Sequence, residues 1–215
     1  MNANEDRPAL ERRADRFPGF DVVALSKHWD QVTAGVVLAR IGMAPDIRFF
    51  TPAEEAAATA LFDHLLDQNE YTRLPIVEHV DSRLAEQQTD GWRFDDMPED
   101  GRAWRHSLAA LDDEAAKRHG QGFAACSSQQ QHDVIQSVQD AGSTDWHGLN
   151  ASHLWSLWTR YACTAFYAHP SAWNEIGFPG PAYPRGYKNP GVNAREPFEV
   201  PDAHPSADPI HPAGR

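Results

Sequence analysis

Eleven histidines and thirty-one acidic side chains in 215 residues are the raw material of metal binding and proton transfer, so their spacing is the first question. A zinc hydrolase needs two imidazoles and a carboxylate on one helical face, as the HExxH spacing provides. The chain has no such run. His147 and His153 flank the start of an apolar helical segment with Asp145 nearby, His64 and Asp67 share a helix edge, and Glu78-His79 begins another helix. This scatter reads as surface and capping histidines. Glu175 stands beside Trp173 and Asn174. A carboxylate in aromatic surroundings can serve as an acid or base, and the plainer reading is a residue of a short helix after Pro170. Trp146, Trp155, Trp158 and Trp173 either line a ligand pocket or, at helical spacing, fill a core.

Other chemistries lack their signatures. No GxGxxG follows a strand, and neither a phosphate loop nor a GxSxG elbow occurs. The expectation is a chain with no catalytic residues, no metal site and no cofactor of its own. Cys126 and Cys163 show no zinc-type spacing and make no disulfide framework, which favours small core thiols in a reducing compartment. The net charge of −12 disfavours nucleic acid and anionic membrane surfaces as partners. No stretch is long enough to span a bilayer.

The segment 166–187, FYAHPSAWNEIGFPGPAYPRGY, carries the densest chemistry of another kind. Pro170, Pro179, Pro181 and Pro184 forbid a continuous helix and a central strand. A short helical turn followed by extended backbone is expected. That backbone displays Trp173, Phe178, Pro179, Tyr183, Arg185 and Tyr187. Tyr, Trp and Arg dominate binding hot spots, so these six residues form a candidate partner-binding arm, either packed on the chain's own helices or laid on another protein.

The elements that position this arm are helical. Val32, Val36, Val37 and Ile41 share a face, which predicts a helix over about 27–41. Thr51-Pro52-Ala53-Glu54 is a capping box with proline at the first helical position, opening a helix to about Leu66. Further helices are expected from Pro75, around Trp104, Leu108 and Leu111 to His119-Gly120, and after a second capping box at Ser128 and Gln131. The last long helix is capped by Asn150 or Ser152 and stops at Pro170. No strand pattern stands out. The expected fold is all-α, an irregular helical bundle with an extended proline and aromatic C-terminal arm. Residues 1–20 read as a flexible arm, 21–187 as one helical domain, and 188–215 as a proline-rich tail that orders only on a partner.

Four segments, in order, resemble the gluconate 2-dehydrogenase subunit 3 family: FFTPAEE at 49–55, LPIVEHVDSRLA at 74–85, LDDEAAKRHGQGFAACSSQQQHDVI at 111–135, and the arm segment itself. The resemblance covers about 49–187 and leaves the 27–41 helix outside. It implies the small subunit of a flavin-dependent sugar or polyol dehydrogenase. FAD and the catalytic base then belong to a large flavoprotein subunit of the glucose-methanol-choline type, with a cytochrome c subunit as a further partner in some complexes. The small subunit supports folding or export of the large one. Many such subunits carry a twin-arginine signal. Here Arg12-Arg13 is separated from the apolar run Val32–Ala44 by Asp15, Asp21 and Asp30, so the run reads as a helix and a cytoplasmic complex is expected, unless the partner carries an export address.

Two other functions stay open on the residues alone. One is a self-sufficient enzyme using Glu175 or a histidine among the tryptophans, which would need a concave pocket. The other is a general chaperone or scaffold with no fixed partner.

Overall fold

Thr51 starts the first long helix as its sequence dictates. In the computed structural model, which describes residues 16–69, 73–189, 191–192 and 194–207, the Thr51 hydroxyl accepts the Glu54 N–H at 3.3 Å. The Glu54 carboxylate accepts the Thr51 N–H at 2.8 Å. Pro52 occupies the first helical position. Arg12, Arg13 and Asp15 lie outside the described residues, as do 208–215.

The chain divides into two compact units, residues 44–166 and the pair of terminal segments up to 43 and from 167 onward. The divisions fall at 43/44 and 166/167, inside the segment 21–187 read as one domain, because the terminal segments pack on each other.

A first short helix, α1 (Gln31–Ala39), belongs to the terminal unit. The 44–166 unit is built from α2 (Pro52–Leu66), α3 (Ile76–Ala85), α4 (Asp100–His119), α5 (Ser128–Ala141) and α6 (Ala151–Ala168), with a 3-10 turn at Phe123–Ala125; the last two residues of α6, Tyr167 and Ala168, belong to the terminal unit. Helix α4 packs against α2, α5 and the 3-10 turn, and α2 also packs against α3. Trp104, Trp158, Tyr161, Phe62 and Phe123 are almost fully buried among them. The indole N–H of Trp158 donates to Ser107 Oγ at 3.0 Å, and that hydroxyl donates to the Trp104 carbonyl at 3.0 Å. Gly120 ends α4 in the left-handed conformation, as expected. Asn150 Oδ1 accepts the His153 N–H at 3.3 Å and caps α6.

Several expectations need correction. The second capping box is Ser127 with Gln130, one residue earlier than Ser128 with Gln131. The run SSQQQ fits the S-x-x-Q pattern in both registers. Gln131 turns instead to the Phe123 carbonyl at 3.1 Å and to His64 Nε2 at 3.0 Å. A two-residue hairpin, β1 (Asp145–Trp146) paired antiparallel with β2 (Leu149–Asn150), precedes α6. His147 and Gly148 both take positive φ, 51° and 82°, the geometry of a tight hairpin turn. The fold remains all-α.

The predicted 27–41 helix is broken in two. A 3-10 helix, Val22–His28, ends at Trp29, and Asp30 restarts the chain as α1 by accepting the Thr33 N–H at 2.8 Å. The break rotates the apolar face. Val37 points inward, but Val32, Val36 and Ile41 are exposed. The core of this unit is Val22, Trp29, Val37 and Trp173, with Phe20, Val23, Leu25 and Ala34 half-buried around it.

The described ends of the chain are held. Arg16 pairs with Asp202, and the Arg16 carbonyl accepts the Ala203 N–H at 2.8 Å. The buried Glu196 carboxylate accepts the backbone N–H groups of Lys188 and Asn189. Residues 16–20 and the described part of 188–207 therefore belong to this unit instead of trailing from it.

Candidate functional site: the C-terminal arm

Helix α7 (Pro170–Ile176) presents the arm. His169 caps it by accepting the Ser171 N–H at 3.2 Å, Pro170 fits its first position, and Gly177 ends it at φ 66°. The indole N–H of Trp173 donates to the Tyr167 carbonyl at 2.6 Å, and its ring meets Phe178 edge-on at 5.3 Å. Beyond Gly177 the backbone is extended, with one turn at 183–185.

The six arm residues divide by environment. Trp173 and Pro179 are buried within the unit. Phe178 reaches the surface, and Tyr183 and Tyr187 are 69% and 56% exposed. Arg185 is half-buried. Its guanidinium carbon sits 3.8 Å over the Phe198 ring, and Nη2 donates to the carbonyls of Pro179 at 3.3 Å and Pro181 at 3.2 Å. Nε and Nη1 are shut off from solvent with no hydrogen-bond partner among the described residues. Burial pulls the Arg185 pKa below the usual arginine range, and the neighbouring Tyr187 partly counters it.

Sequence reasoning found the arm but missed its surroundings. Among the described residues, every large exposed hydrophobic except Trp92 lies in the terminal unit. They include Val32, Val36, Ile41 and Met43 around α1 as well as Ile176, Phe178, Tyr183 and Tyr187. Helix α1 carries no charged residue, and its charged neighbours face inward: Asp30 caps the helix and Arg40 Nη1 donates to the Ala168 carbonyl at 2.9 Å. That uncharged stretch was the available signal.

The candidate histidines are tied to structural partners. His153 Nδ1 lies 2.7 Å from Asp96 Oδ1, with its ring stacked 3.7 Å from Phe94. His147 Nε2 lies 3.1 Å from Glu114 Oε2, and Asp145 accepts the Gly148 N–H at 3.1 Å. Asp67 forms the left-handed end of α2. Among the described residues no three His, Cys, Asp or Glu side chains cluster as metal ligands. Trp146 and Trp158 are core, Trp155 is half-buried, and Glu175 is buried in α7. A pocket in the 44–166 unit, lined by Trp92, Phe94, Asp100, His153 and Arg160, has room for about one water molecule. No described helix is long and apolar enough to cross a membrane.

A family model, gluconate 2-dehydrogenase subunit 3, matches residues 52–180. The chain belongs to this family. No curated protein and no solved structure matched it. The family match runs from the start of α2 through α7 and ends at Gly180. It contains Trp173, Phe178 and Pro179 and stops short of Tyr183, Arg185 and Tyr187.

Proposed function

We propose that this chain is a non-catalytic accessory subunit that binds, stabilises or helps mature a larger FAD-dependent oxidoreductase of the glucose-methanol-choline type, acting on a sugar, glycoside or polyol. The family supplies the class of complex. The observation that carries the reading is the concentration of exposed apolar side chains on the terminal unit. A few hundred Å² of contiguous exposed apolar surface is the usual limit for a soluble monomer. Tyr183 and Tyr187 add large rings with polar tips, the side chains favoured at interface cores. The chain carries a net charge of −12 and α1 is uncharged, which suits a protein partner better than an anionic membrane.

The flavin, the catalytic base and the substrate pocket belong to the larger subunit in this reading, and the complex is cytoplasmic unless that subunit carries an export address. The test is co-expression with a glucose-methanol-choline-type flavoprotein from the same organism. The expected result is co-purification of the two, with flavin absorbance and dehydrogenase activity only when the larger subunit is present. Stoichiometric FAD in the chain purified alone would overturn the proposal.

A further inference from the structure

Among the described residues Arg185 has no counter-ion. Arg16, Arg83 and Arg160 are also partly shielded, with side-chain exposures of 20%, 19% and 21%, and each has a carboxylate: Asp202 for the first and Asp90 for the other two. Arg160 also has two nitrogens without a well-directed hydrogen bond, yet Asp90 Oδ2 stands 2.7 Å from its Nη1. Arg185 makes no ion pair among the described residues. It has only two carbonyls and the face of Phe198.

The two carboxylates that flank Phe198 in sequence hold backbone groups. Glu196 holds the N–H groups of Lys188 and Asn189, and Glu199 accepts the Glu196 N–H at 2.6 Å. In a chain with 31 acidic residues against 19 basic ones, no carboxylate among the described residues pairs with this guanidinium. A ring face compensates a half-buried cation only in part, and partial removal of a charge from water without an opposite charge costs free energy.

We propose that Arg185 is the receptor for a carboxylate on the larger subunit, an Asp or Glu side chain that enters between Tyr183 and Tyr187 and accepts hydrogen bonds from Nε and Nη1. This rests on the accessory-subunit reading and names the partner's chemistry. The exposed tyrosine rings flank the ion pair and exclude water from it, which strengthens it. The closed edge opens by movement of the arm. Among the described residues, 179–187 has one backbone–backbone hydrogen bond, from the Gly186 N–H to the Ala182 carbonyl, because its prolines lack donors. Phe198 holds the guanidinium in place until the partner arrives.

The full-length chain and the flavoprotein are co-expressed as wild type, Arg185→Met and Arg185→Lys. The lone chains are also melted in sodium acetate and in sodium chloride at equal ionic strength. Arg185→Met should melt at the same temperature as wild type or higher, because it removes an unpaired half-buried charge, yet bind the flavoprotein at least tenfold more weakly. Arg185→Lys should recover part of that loss. Acetate should raise the melting temperature of the wild type more than chloride does, and Arg185→Met should erase the difference. If Arg185→Met lowers the lone chain's melting temperature while binding the flavoprotein as well as wild type, Arg185 is a packing residue and the inference fails, with the accessory-subunit reading intact. If the wild-type chain recovers no flavoprotein, the accessory-subunit reading fails, and the acetate difference alone supports or overturns the carboxylate site.

Discussion

The hydroxyl of Tyr161 donates to the Asp100 carboxylate across 2.7 Å, with both residues almost fully removed from solvent. Asp100 lies in the first turn of α4 and Tyr161 in the middle of α6, so this bond ties two helices of the 44–166 unit. Burial, then the hydrogen bond to Asp100 and its negative charge, push the phenol well above the usual tyrosine range. The folded state keeps the proton that the unfolded chain releases. The stability this contributes is fully present below pH about 10 and declines as pH rises further. Tyr161→Phe should cost roughly 1–3 kcal/mol in a urea melt, because it leaves a buried carboxylate short of a donor, and should flatten the alkaline fall. Equal alkaline slopes in the two proteins would place the titrating group elsewhere.

Asp81 carries a larger share of the fold. It is fully buried in α3, where Oδ1 accepts the Arg48 N–H at 2.6 Å and Oδ2 accepts those of Phe49 and Phe50 at 2.8 and 2.7 Å. The carboxylate fixes the chain that leads into α2. Asp81→Ala strands three backbone donors and should cost roughly 3 kcal/mol or more. Asp81→Asn keeps one acceptor oxygen and should lose about half as much, since its NH2 group would face a donor. Denaturant melts of both variants decide this, and a loss within ~0.5 kcal/mol for Asp81→Ala would refute it.

These two carboxylates show where the sequence stops being legible. Asp81 and Asp100 look like solvent-facing charges on amphipathic helices, and their partners lie 31 to 61 residues away along the chain. Local rules located Thr51 and Gly120 because caps are decided within one turn. They slipped by a residue at Ser127, where two registers are chemically equivalent. The exposure of Val32, Val36 and Ile41 beside a buried Val37 follows from Asp30 restarting the helix, which periodicity over 27–41 does not register. At the arm, the aromatic residues were visible as a composition. The position of Phe198 over Arg185 was not, because that stretch has no periodicity and its geometry is set by tertiary packing.

Glu114 sets the acid limb. Burial pushes its carboxyl up, but hydrogen bonds from Arg118 and His147 and the charges of Arg118 and Lys117 outweigh that and hold it below the usual glutamate range. Its contribution is present above pH about 4.5 and is lost as pH falls through the lower folded value. Glu114→Gln should shallow the loss of stability below that pH and loosen the link between α4 and the hairpin turn at His147. The check is the melting temperature of wild type and variant from neutral pH down to pH about 3, with parallel curves counting against the assignment.

Gly180 fixes the path of the arm. Its φ is +76°, and a Cβ there would fall 2.4 Å from Cζ2 of Trp29. Gly180→Ala therefore meets two penalties, a left-handed backbone costing about 1 kcal/mol and a collision with a core indole. The variant should lose at least 2 kcal/mol in the terminal unit, with a shift in tryptophan emission as Trp29 is displaced. Unchanged emission and stability would mean that the arm does not lie on Trp29.

The arm's exposed rings separate docking from folding. Tyr183 and Tyr187 stand outside the Val22, Trp29, Val37 and Trp173 core, and the Tyr187 ring lies 6.1 Å from that of Phe198. Removing both should leave helix content unchanged and cost less than about 1 kcal/mol of stability, as surface truncations do. If the arm lies on the flavoprotein, each ring contributes about 25 cal/mol per Å² of apolar surface it buries there. Tyr183→Ala with Tyr187→Ala should then reduce flavoprotein recovery at least tenfold, which corresponds to about 1.4 kcal/mol of binding. Trp173→Ala is the opposite control: it opens the core, lowers the melting temperature and reduces recovery only through misfolding. Circular dichroism and pull-down yields on the same preparations separate the two effects. A double variant that unfolds while still binding would assign the tyrosines to the core and move the interface to the exposed face of α1.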